Sequence, residues 1–269
     1  MLPGTDILFT KFSATGNDFI LIDNRRLGFS ADDAEFFRWI CQRRIAVGAD
    51  GVLLIDESRE SDFCLHYYNS DGSEAECGNG ARSAAFFAFT HGIAPQKMTF
   101  HFGGHLYEAE VKGRAVKLKL PAARNLDQSV GILEETGLEE GGSVNTGVPH
   151  YVLFGRQIDK TNVIAVGRKY RYHPHFQPHG TNVNFVEVAG DEEIRVRTYE
   201  RGVEDETLSC GSGSVASAFL AHLQKEVSFP VRVRTRGGVL VVHKNQEAAQ
   251  FYLEGKVEPV YQGKLKAFR

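Results

Sequence analysis

Short runs in which apolar and polar residues alternate, or in which apolar residues dominate, recur along most of the chain. Runs of this length, bounded by Gly, Asn or Asp, are typical of β-strands. The pattern predicts strands at 19–22, 51–55, 116–120, 184–188, 194–197, 231–234 and 238–242.

Helical patterns are fewer. The sequence predicts a helix over 31–41 that Ser30 caps, one helix after each of Cys77 and Cys210, and a short helix over 132–136. Since few long helices separate the strands, a parallel sheet built from βαβ units is disfavoured. We expect an α+β fold in which mostly antiparallel strands form a sheet or barrel around a central helix in each half of the chain.

The segments that follow the two cysteines resemble each other. Segment 77–86 begins Cys-Gly-Asn-Gly, segment 210–219 begins Cys-Gly-Ser-Gly, both end in Ala-Phe, and five of their ten positions are identical. A short predicted strand and a polar turn precede each segment. This internal similarity, at about half the chain length, predicts two pseudo-symmetric domains. We place them at 1–121, which the last strand at 258–269 could complete, and at 122–257.

Composition removes several classes of function. Of the 269 residues 42% are hydrophobic, and the formal net charge of −3 gives no electrostatic reason to expect nucleic acid as a partner. The longest apolar stretch, 84–89, is far shorter than the ~18 residues of a membrane helix. The first ten residues lack the basic and apolar regions of a signal peptide. We therefore expect a cytoplasmic protein without a membrane partner.

Metal and disulfide chemistry are not expected either. The four cysteines include no Cys-x-x-Cys pair and do not suggest a disulfide scaffold in a chain of this size. His173, His175 and His179 lie in a Pro-rich loop without acidic or Cys neighbours, and we interpret them as solvated residues. No recognisable lysine motif for pyridoxal phosphate is present, so we expect neither a metal nor a cofactor.

The repeated Cys-Gly-x-Gly motif indicates acidic thiols. The first N–H groups of a helix and its dipole stabilise a thiolate, so the pKa of a cysteine there falls from about 8.5 to ~3.5–7.5. The glycines leave room for a ligand whose carboxylate these N–H groups would hold. If the two motifs face each other, one thiolate removes a proton beside the carboxylate and the other thiol protonates the opposite face. This arrangement predicts racemisation, with Cys77 and Cys210 as base and acid.

Two other interpretations remain open. A single Cys-Gly-x-Gly motif more often marks a tight turn with a buried thiol. Two acidic thiols could also form a redox-active disulfide, although redox pairs usually lie close in sequence and these lie in separate halves. In a redox protein a disulfide between Cys77 and Cys210 would form and be reduced during turnover, whereas it would abolish proton transfer.

Several motifs, taken in order, resemble the diaminopimelate epimerase family from Lys11 to about Leu220. They are Lys-Phe-Ser-Ala-Thr-Gly-Asn-Asp-Phe at 11–19, Gly-Ala-Asp-Gly-Val at 48–52, Asn-Ser-Asp-Gly-Ser at 69–73, Glu-Cys-Gly-Asn-Gly-Ala-Arg at 76–82, Gly-Thr-Asn-Val-Asn-Phe at 180–185, and Glu-Arg-Gly at 200–202 with Glu-Thr-Leu-Ser-Cys-Gly-Ser-Gly at 206–213. The resemblance implies a cofactor-independent isomerase that interconverts LL- and meso-diaminopimelate in lysine and peptidoglycan synthesis. It also implies a homodimer.

The resemblance further implies the roles of individual residues. Cys77 and Cys210 would be the acid/base pair, and the reacting carboxylate would be held by backbone N–H groups of Gly78, Asn79, Gly211 and Ser212. The substrate, chiefly its distal amino-acid end, would be bound by Asn17, Asn69, Asn182, Glu200 and Arg201. A carboxylate and a forked guanidinium suit a second ammonium and carboxylate.

The adjacency of Glu200 and Arg201 constrains their geometry. Neighbours in a regular strand point to opposite faces, so both reach one ligand only from a turn or bulge, which Gly202 permits. The alternative for this pair is a surface ion pair of little consequence.

One departure from the family pattern bears on the substrate. Where many members carry Asn in a Gly-Asn-Pro-His motif, this chain has Val148, so one expected side-chain hydrogen bond to substrate is missing. The alternatives within the fold are a proline or hydroxyproline epimerase, which would have less use for Glu200 and Arg201, and a phenazine-type isomerase, which should lack the paired cysteines.

Overall fold

The computed structural model describes residues 6–245 and 250–265. Within these residues the helices are α1 (Ala34–Ile40), α2 (Gly78–Thr90), α3 (Val163–Arg171) and α4 (Gly211–Lys225). The strands are β1 (Ile7–Ala14), β2 (Asn17–Asp23), β3 (Gly51–Asp56), β4 (Phe63–Asn69), β5 (Lys97–Phe102), β6 (His105–Lys112), β7 (Ala115–Lys119), β8 (Arg124–Asp127), β9 (Leu138–Asn145), β10 (Pro149–Gly155), β11 (Asn182–Gly190), β12 (Glu193–Glu200), β13 (Asp205–Thr207), β14 (Val231–Thr235), β15 (Gly238–Lys244), β16 (Phe251–Lys256) and β17 (Glu258–Leu265). None of these helices has the length and apolar character that spanning a membrane requires.

The chain divides into two compact units. The first is formed by the residues up to Leu118 together with those from Gly255 onward, and the second by Lys119–Glu254. Both are dominated by strands and contain few helices, so the expected α+β class with two sheet-rich units is confirmed.

The strands of the first unit follow a regular order of pairings. β1 and β2 are antiparallel, β2 and β3 parallel, β3 and β4 antiparallel, β4 and β5 parallel, and β5 and β6 antiparallel. β17 pairs with the other edge of β1, and β7 with β6. Each parallel pair needs a crossover connection, and α1 and α2 supply the two crossovers.

The second unit repeats this order strand for strand. β9 and β10 are antiparallel, β10 and β11 parallel, β11 and β12 antiparallel, β12 and β14 parallel, and β14 and β15 antiparallel. Here α3 and α4 supply the crossovers of the parallel pairs. The similarity of the two cysteine segments is therefore part of a similarity in topology.

In each unit the helix that follows the cysteine lies among the strands. α2 is buried from Asn79 to Ala88 and contacts β1, β2, β3, β4 and β6, while α4 is buried from Gly213 to Ala221 and contacts β9 to β12, β14 and β15. Both helices are rich in Gly, Ala and Ser, whose small side chains let a helix lie close to surrounding strands. Burial on all sides fixes the first turn of each helix, and with it the cysteine.

Three details of the fold differ from the sequence-based expectations. The predicted helix at 132–136 is wrong, because this segment is irregular, whereas the helix α3 was not predicted. The two parallel pairs in each unit were also not expected. The sequence did not indicate them because the connecting helices are either short, as α1 and α3 are, or buried inside the unit, as α2 and α4 are. No long amphipathic helical pattern therefore marks the crossovers.

The start of the first predicted helix follows the sequence closely. Ser30 caps a short 3-10 turn that leads into α1: its hydroxyl accepts from the N–H of Asp32, and its own N–H donates to Asp33 at 3.0 Å. This reciprocal arrangement satisfies N–H groups that the helix itself leaves without acceptors.

Candidate active site

Helix α2 begins directly after Cys77. The backbone of Cys77 is extended (φ −142°, ψ 116°), and its carbonyl accepts a hydrogen bond of 2.8 Å from the N–H of Ala81. The residue is partly buried. The N–H groups of Gly78 and Asn79 precede the first bonded position and therefore have no intrahelical acceptor. A Cβ atom at Gly78 would meet nothing within 4 Å, so a ligand has room to approach these groups.

The second glycine of each motif is required by packing. A Cβ at Gly80 would lie 2.9 Å from the side chain of Leu53, and one at Gly213 would lie 2.4 Å from the side-chain oxygen of Asn184. Both distances are too short for a side chain to fit without displacing the neighbour. The motif thus allows each helix to start close against a strand while its cysteine stays at the N-terminus.

A chain of side-chain amides fixes the start of α2. The amide nitrogen of Asn79 donates to the oxygen of Asn17 at 2.7 Å, and the nitrogen of Asn17 donates to Asp50 at 2.9 Å. The N–H of Asp18 also donates to the same Asp50 oxygen. Two residues with expected substrate roles, Asn17 and Asn79, are therefore adjacent, and Asp50 orients them.

Asn69 lies at the end of β4, in the turn that leads toward Cys77. Its side-chain nitrogen donates to the hydroxyl of Ser73 at 3.1 Å, and its carbonyl accepts from the N–H of Gly72 at 2.9 Å. Gly72 has φ +82°, a backbone conformation that favours glycine. Within the first unit, Asn17, Asn69, Gly78 and Asn79 thus lie on segments that adjoin the start of α2.

The second unit presents a similar helix start. Cys210 is buried, its backbone is extended (φ −123°, ψ 116°), and its carbonyl accepts from the N–H of Ser214 at 2.9 Å. The N–H groups of Gly211 and Ser212 have no intrahelical acceptor. The hydroxyl of Ser212 lies 3.6 Å from the sulfur of Cys210, within hydrogen-bonding reach for sulfur.

Behind Ser212 lies a fully buried histidine, His150. Its Nε2 is 2.9 Å from the hydroxyl of Ser212, and its Nδ1 is 3.0 Å from the side-chain nitrogen of Asn184. The oxygen of Asn184 in turn faces the hydroxyl of Thr198 at 3.0 Å, so its nitrogen donates to Nδ1. The proton of His150 therefore resides on Nε2 and is donated to Ser212.

His150 is neutral at physiological pH. Burial lowers its pKa to about 3, and the positive charge of Arg201 acts in the same direction, against the hydrogen bond from Asn184. A neutral imidazole that donates to Ser212 leaves the serine proton available to the sulfur of Cys210.

Glu200 is the last residue of β12, and Arg201 lies in the turn that follows, with Gly202 at φ +93°. Burial raises the pKa of Glu200, an effect that a hydrogen bond with Thr207 opposes, and no charged group contributes. Within the described residues neither Arg201 nor any other cation pairs with this carboxylate. The alternative of a surface ion pair between Glu200 and Arg201 is therefore wrong.

Asn182 holds the turn that carries Arg201. Its side-chain oxygen accepts from the N–H of Arg201 at 2.8 Å, and its nitrogen donates to the carbonyl of Pro149 at 2.9 Å. One guanidinium nitrogen of Arg201 donates to the carbonyl of His179 at 3.1 Å. Asn182 thus helps to orient Arg201, in addition to the substrate contact expected of it.

Several residues at the two helix starts were not singled out from the sequence. Asp50 and Asn184 belong to motifs that carry the family resemblance, and His150 follows the segment that departs from the family pattern at Val148, yet none of the three was assigned a role. These residues orient Asn17 and Ser212. Residues that act by orienting another side chain produce no spacing pattern that can be recognised in a sequence. A buried His next to a Pro in an apolar strand was the one available signal.

Comparison with known proteins decides the family. The family model described as "Diaminopimelate epimerase" matches residues 9–122 and 142–260. A diaminopimelate epimerase of Aquifex aeolicus (strain VF5) is 42% identical, with 96% of this chain and 97% of that protein covered. One from Archaeoglobus fulgidus is 38% identical, with 97% and 96% covered.

The chain belongs to the diaminopimelate epimerase family. Solved structures with little sequence identity share its fold. A PhzF-family phenazine biosynthesis protein of Bacillus anthracis superposes with a TM-score of 0.74 at 15% identity, over 97% of this chain and 99% of that one. A probable proline racemase of Agrobacterium radiobacter K84 gives 0.67 at 16% identity, over 96% and 92%. These likenesses concern the fold alone.

Within the described ranges, no three His, Cys, Asp or Glu side chains are arranged to hold a metal ion. His173, His175 and His179 are exposed or partly exposed around a short 3-10 turn at Pro174–Phe176.

Proposed function

We propose that this protein interconverts LL- and meso-diaminopimelate, as the names of its relatives indicate for them. The reaction needs neither metal nor cofactor, takes place in the cytoplasm, and serves lysine and peptidoglycan synthesis. Cys77 and Cys210 act as thiolate base and thiol acid on opposite faces of the α-carbon.

The observation that carries this proposal is the matched setting of the two thiols. In each of two units of the same topology, a cysteine with extended backbone directly precedes a buried helix. Unpaired N–H groups and the helix dipole favour a thiolate at this position. We infer that the two units, with limits near 121 and 122, are the pseudo-symmetric halves, and that each contributes one of the two thiols.

The chemical steps follow from this arrangement. The N–H groups of Gly78, Asn79, Gly211 and Ser212 hold the carboxylate of the reacting centre. One thiolate takes the α-proton and becomes a thiol, and the two electrons of the C–H bond move into an enediolate that the N–H dipoles stabilise. The opposite thiol then gives its proton to the other face and becomes a thiolate. The configuration is inverted, and the cysteines have exchanged protonation states.

The distal end of the substrate explains the remaining charged groups. Glu200 is an acid that no cation of the described chain neutralises, and the second ammonium of diaminopimelate supplies one. Arg201, held by Asn182, offers its guanidinium to the second carboxylate. Asn17 and Asn69 complete the contacts. A proline or hydroxyproline epimerase would have no second amino-acid head for Glu200 to bind.

The second part of the proposal is a homodimer, and it is supported by exposed apolar side chains on two strands of the first unit. Val260 and Tyr261 on β17 and Leu8 on the neighbouring β1 are all exposed, and the ring of Tyr261 stands edge-on to Phe9. An adjacent cavity of about 420 Å³ is lined in part by Phe12. Exposed apolar side chains on paired strands and beside a cavity are typical of an interface, and a second copy would cover them.

Sedimentation of the purified protein tests the dimer. We expect a dimer for the wild type and a monomer for Tyr261→Asp, because the new charge would be buried at the interface. Leu106→Asp, at an exposed apolar position on β6, is the matched control and should remain dimeric. A monomeric wild type would contradict this part of the proposal.

Incubation with LL-diaminopimelate and chromatographic separation of the isomers tests the reaction. The wild type should form the meso isomer, and proline should not be racemised. Cys77→Ala and Cys210→Ala should each lose activity. Mild oxidation that joins the two thiols should also abolish activity, whereas a redox protein would cycle through this disulfide. Turnover of proline without turnover of diaminopimelate would sink the proposal.

A further inference from the structure

A fully buried arginine lies one turn into α2. Arg82 has no exposed surface and is the largest of the fully buried side chains in the described part of the chain. Arginine remains charged at all accessible pH values, and a buried cation is costly unless a nearby anion compensates it. Its position therefore calls for a partner of negative charge.

The hydrogen bonds of Arg82 do not supply that anion. One terminal nitrogen, Nη2, donates to the hydroxyl of Thr15 at 3.1 Å and to the side-chain oxygen of Asn79, both neutral groups. The other terminal nitrogen, Nη1, and Nε are buried without a hydrogen-bond partner among the described residues. Two of its three nitrogens are thus unsatisfied.

The guanidinium points toward Cys77. Side chains on a helix lean toward its N-terminus, and the bond from Arg82 to Asn79, three residues earlier, shows that this one does so. Burial lowers the pKa of Arg82 to about 10, while negative charge at Cys77 raises it. Among the residues that the structure describes, no other charged group acts on the pKa of Arg82.

The other ionisable groups around the start of α2 do not replace this interaction. Tyr67 on β4 and Tyr107 on β6 both feel the charge of Cys77, and burial raises the pKa of each, so both stay neutral. Glu76, which accepts from Tyr107, and Asp50 are acids and disfavour a second negative charge nearby. The cation Arg43 is paired with Asp18 and Asp50.

The second unit has no cation at the equivalent position, although the positive charge of Arg201 acts on His150 behind Ser212. The position that corresponds to Arg82, 133 residues later, is Val215, which is fully buried and apolar. Near Cys210 the corresponding role falls to the neutral pair His150 and Ser212. A neutral hydroxyl stabilises a thiolate less than a buried cation does. The two otherwise similar helix starts therefore differ in charge.

We infer that Arg82 is a positioning residue that keeps Cys77 in the thiolate form, so that the free enzyme rests with a thiolate at Cys77 and a thiol at Cys210. This inference rests on the proposed function for its catalytic meaning. It assigns the base of the first half-reaction to Cys77 and makes Cys210 the initial acid. Once Cys77 has accepted the α-proton, the positive charge of Arg82 favours loss of that proton from the thiol.

Alkylation by iodoacetamide in the absence of substrate tests the inference, with each cysteine quantified by mass spectrometry across a pH series. In the wild type Cys77 should react with a lower pH midpoint than Cys210. In Arg82→Met the midpoint of Cys77 should rise by about 1–3 pH units, the usual effect of removing an adjacent opposite charge, while that of Cys210 stays. Arg82→Lys should restore most of the shift. Cys41, whose pKa burial raises to about 12, serves as the unreactive reference.

Three outcomes would overturn the inference. One is a wild type in which Cys210 has the lower midpoint, which needs no variant and so holds even if Arg82→Met fails to fold. Another is a folded Arg82→Met variant in which the pH midpoint of Cys77 is unchanged. If KM rises in that variant while the midpoint stays, Arg82 acts on the substrate instead of on Cys77. A third is a shift of equal size in Thr15→Val, which keeps the charge and removes one hydrogen bond. Failure of the epimerase reaction itself appears separately, as full activity in Cys77→Ala.

Discussion

The hydroxyl of Ser212 lies 2.9 Å from Nε2 of the buried His150, and the same oxygen is 3.6 Å from the sulfur of Cys210. Because His150 is neutral and donates to this oxygen, the hydroxyl proton is directed to the sulfur. Ser212 therefore stabilises the thiolate that Cys210 becomes after it has given up its proton.

Replacement of Ser212 by alanine removes this hydrogen bond but keeps the backbone N–H that holds the carboxylate. A hydrogen bond to a charged group contributes about 1.5–3 kcal/mol, so kcat should fall about 10- to 100-fold. Ser214→Ala is the matched control, since its hydroxyl donates to the carbonyl of Cys210 and not to the sulfur. Steady-state kinetics that show equal losses in both variants would contradict the assigned role.

Glu200→Gln should weaken substrate binding and raise KM, because the amide cannot pair with the second ammonium. Burial raises the pKa of Glu200 in the folded state, so the ionised carboxylate costs folding free energy above that pKa, and the cost disappears as the pH falls. The variant should therefore unfold at the same or a higher temperature than the wild type near neutral pH. Glu204→Gln, which loses an ion pair with Arg171 instead, should be less stable.

The same carboxylate predicts a pH dependence of binding. As the pH falls through the raised pKa, Glu200 becomes protonated and loses its attraction for ammonium. In the wild type kcat/KM for LL-diaminopimelate should therefore decline on the acid side, and this limb should be absent in Glu200→Gln. A limb of the same position in both enzymes would assign it to another group.

Val148→Asn should strengthen substrate binding. Val148 is partly buried in the turn before β10, where its carbonyl accepts from the N–H of Thr146, and its side chain offers no hydrogen bond. An asparagine there would supply the contact that many family members have. One added hydrogen bond contributes about 0.5–1.5 kcal/mol, so KM should fall about 2- to 10-fold. A rise in KM would show that valine is adapted to this site.

A buried ion pair should dominate the stability of the second unit. Arg197 and Glu206 form two hydrogen bonds of 2.7 Å, and their side chains are only 8% and 10% exposed. Glu206→Gln leaves a buried cation without its partner and should lower the free energy of unfolding by about 3–5 kcal/mol. Glu193→Gln, which breaks more exposed pairs with Arg232 and Arg234, should cost about 1 kcal/mol or less. Denaturant titration measures both.

How much the sequence could predict differs between the fold and the site. Most strands and the helix starts after Cys77 and Cys210 follow from local patterns, because alternation and small-residue motifs are local properties. The parallel strand pairs and α3 do not, since they depend on which strand a buried crossover returns to. The irregular segment at 132–136 shows the reverse case: Ile132 and Leu133 pack against the apolar core of the second unit, yet the segment is not helical.

At the site, the cysteines and the groups expected to meet the substrate were accessible from motifs, whereas the residues that orient them were not. Asp50, His150 and Asn184 act through contacts with residues far away in the sequence. Only the folded chain shows that Arg82 lacks a charged partner, or that His150 is buried and neutral. Spacing along the sequence carries no record of such contacts.

Deuterium incorporation tests the central claim most directly. The purified protein is incubated with LL-diaminopimelate in deuterium oxide, and the α-position is followed by mass spectrometry and NMR. The account predicts deuterium at the α-carbon of the meso product with the wild type, and loss of this signal in both Cys77→Ala and Cys210→Ala. Incorporation that survives both substitutions would contradict proton transfer by the two thiols.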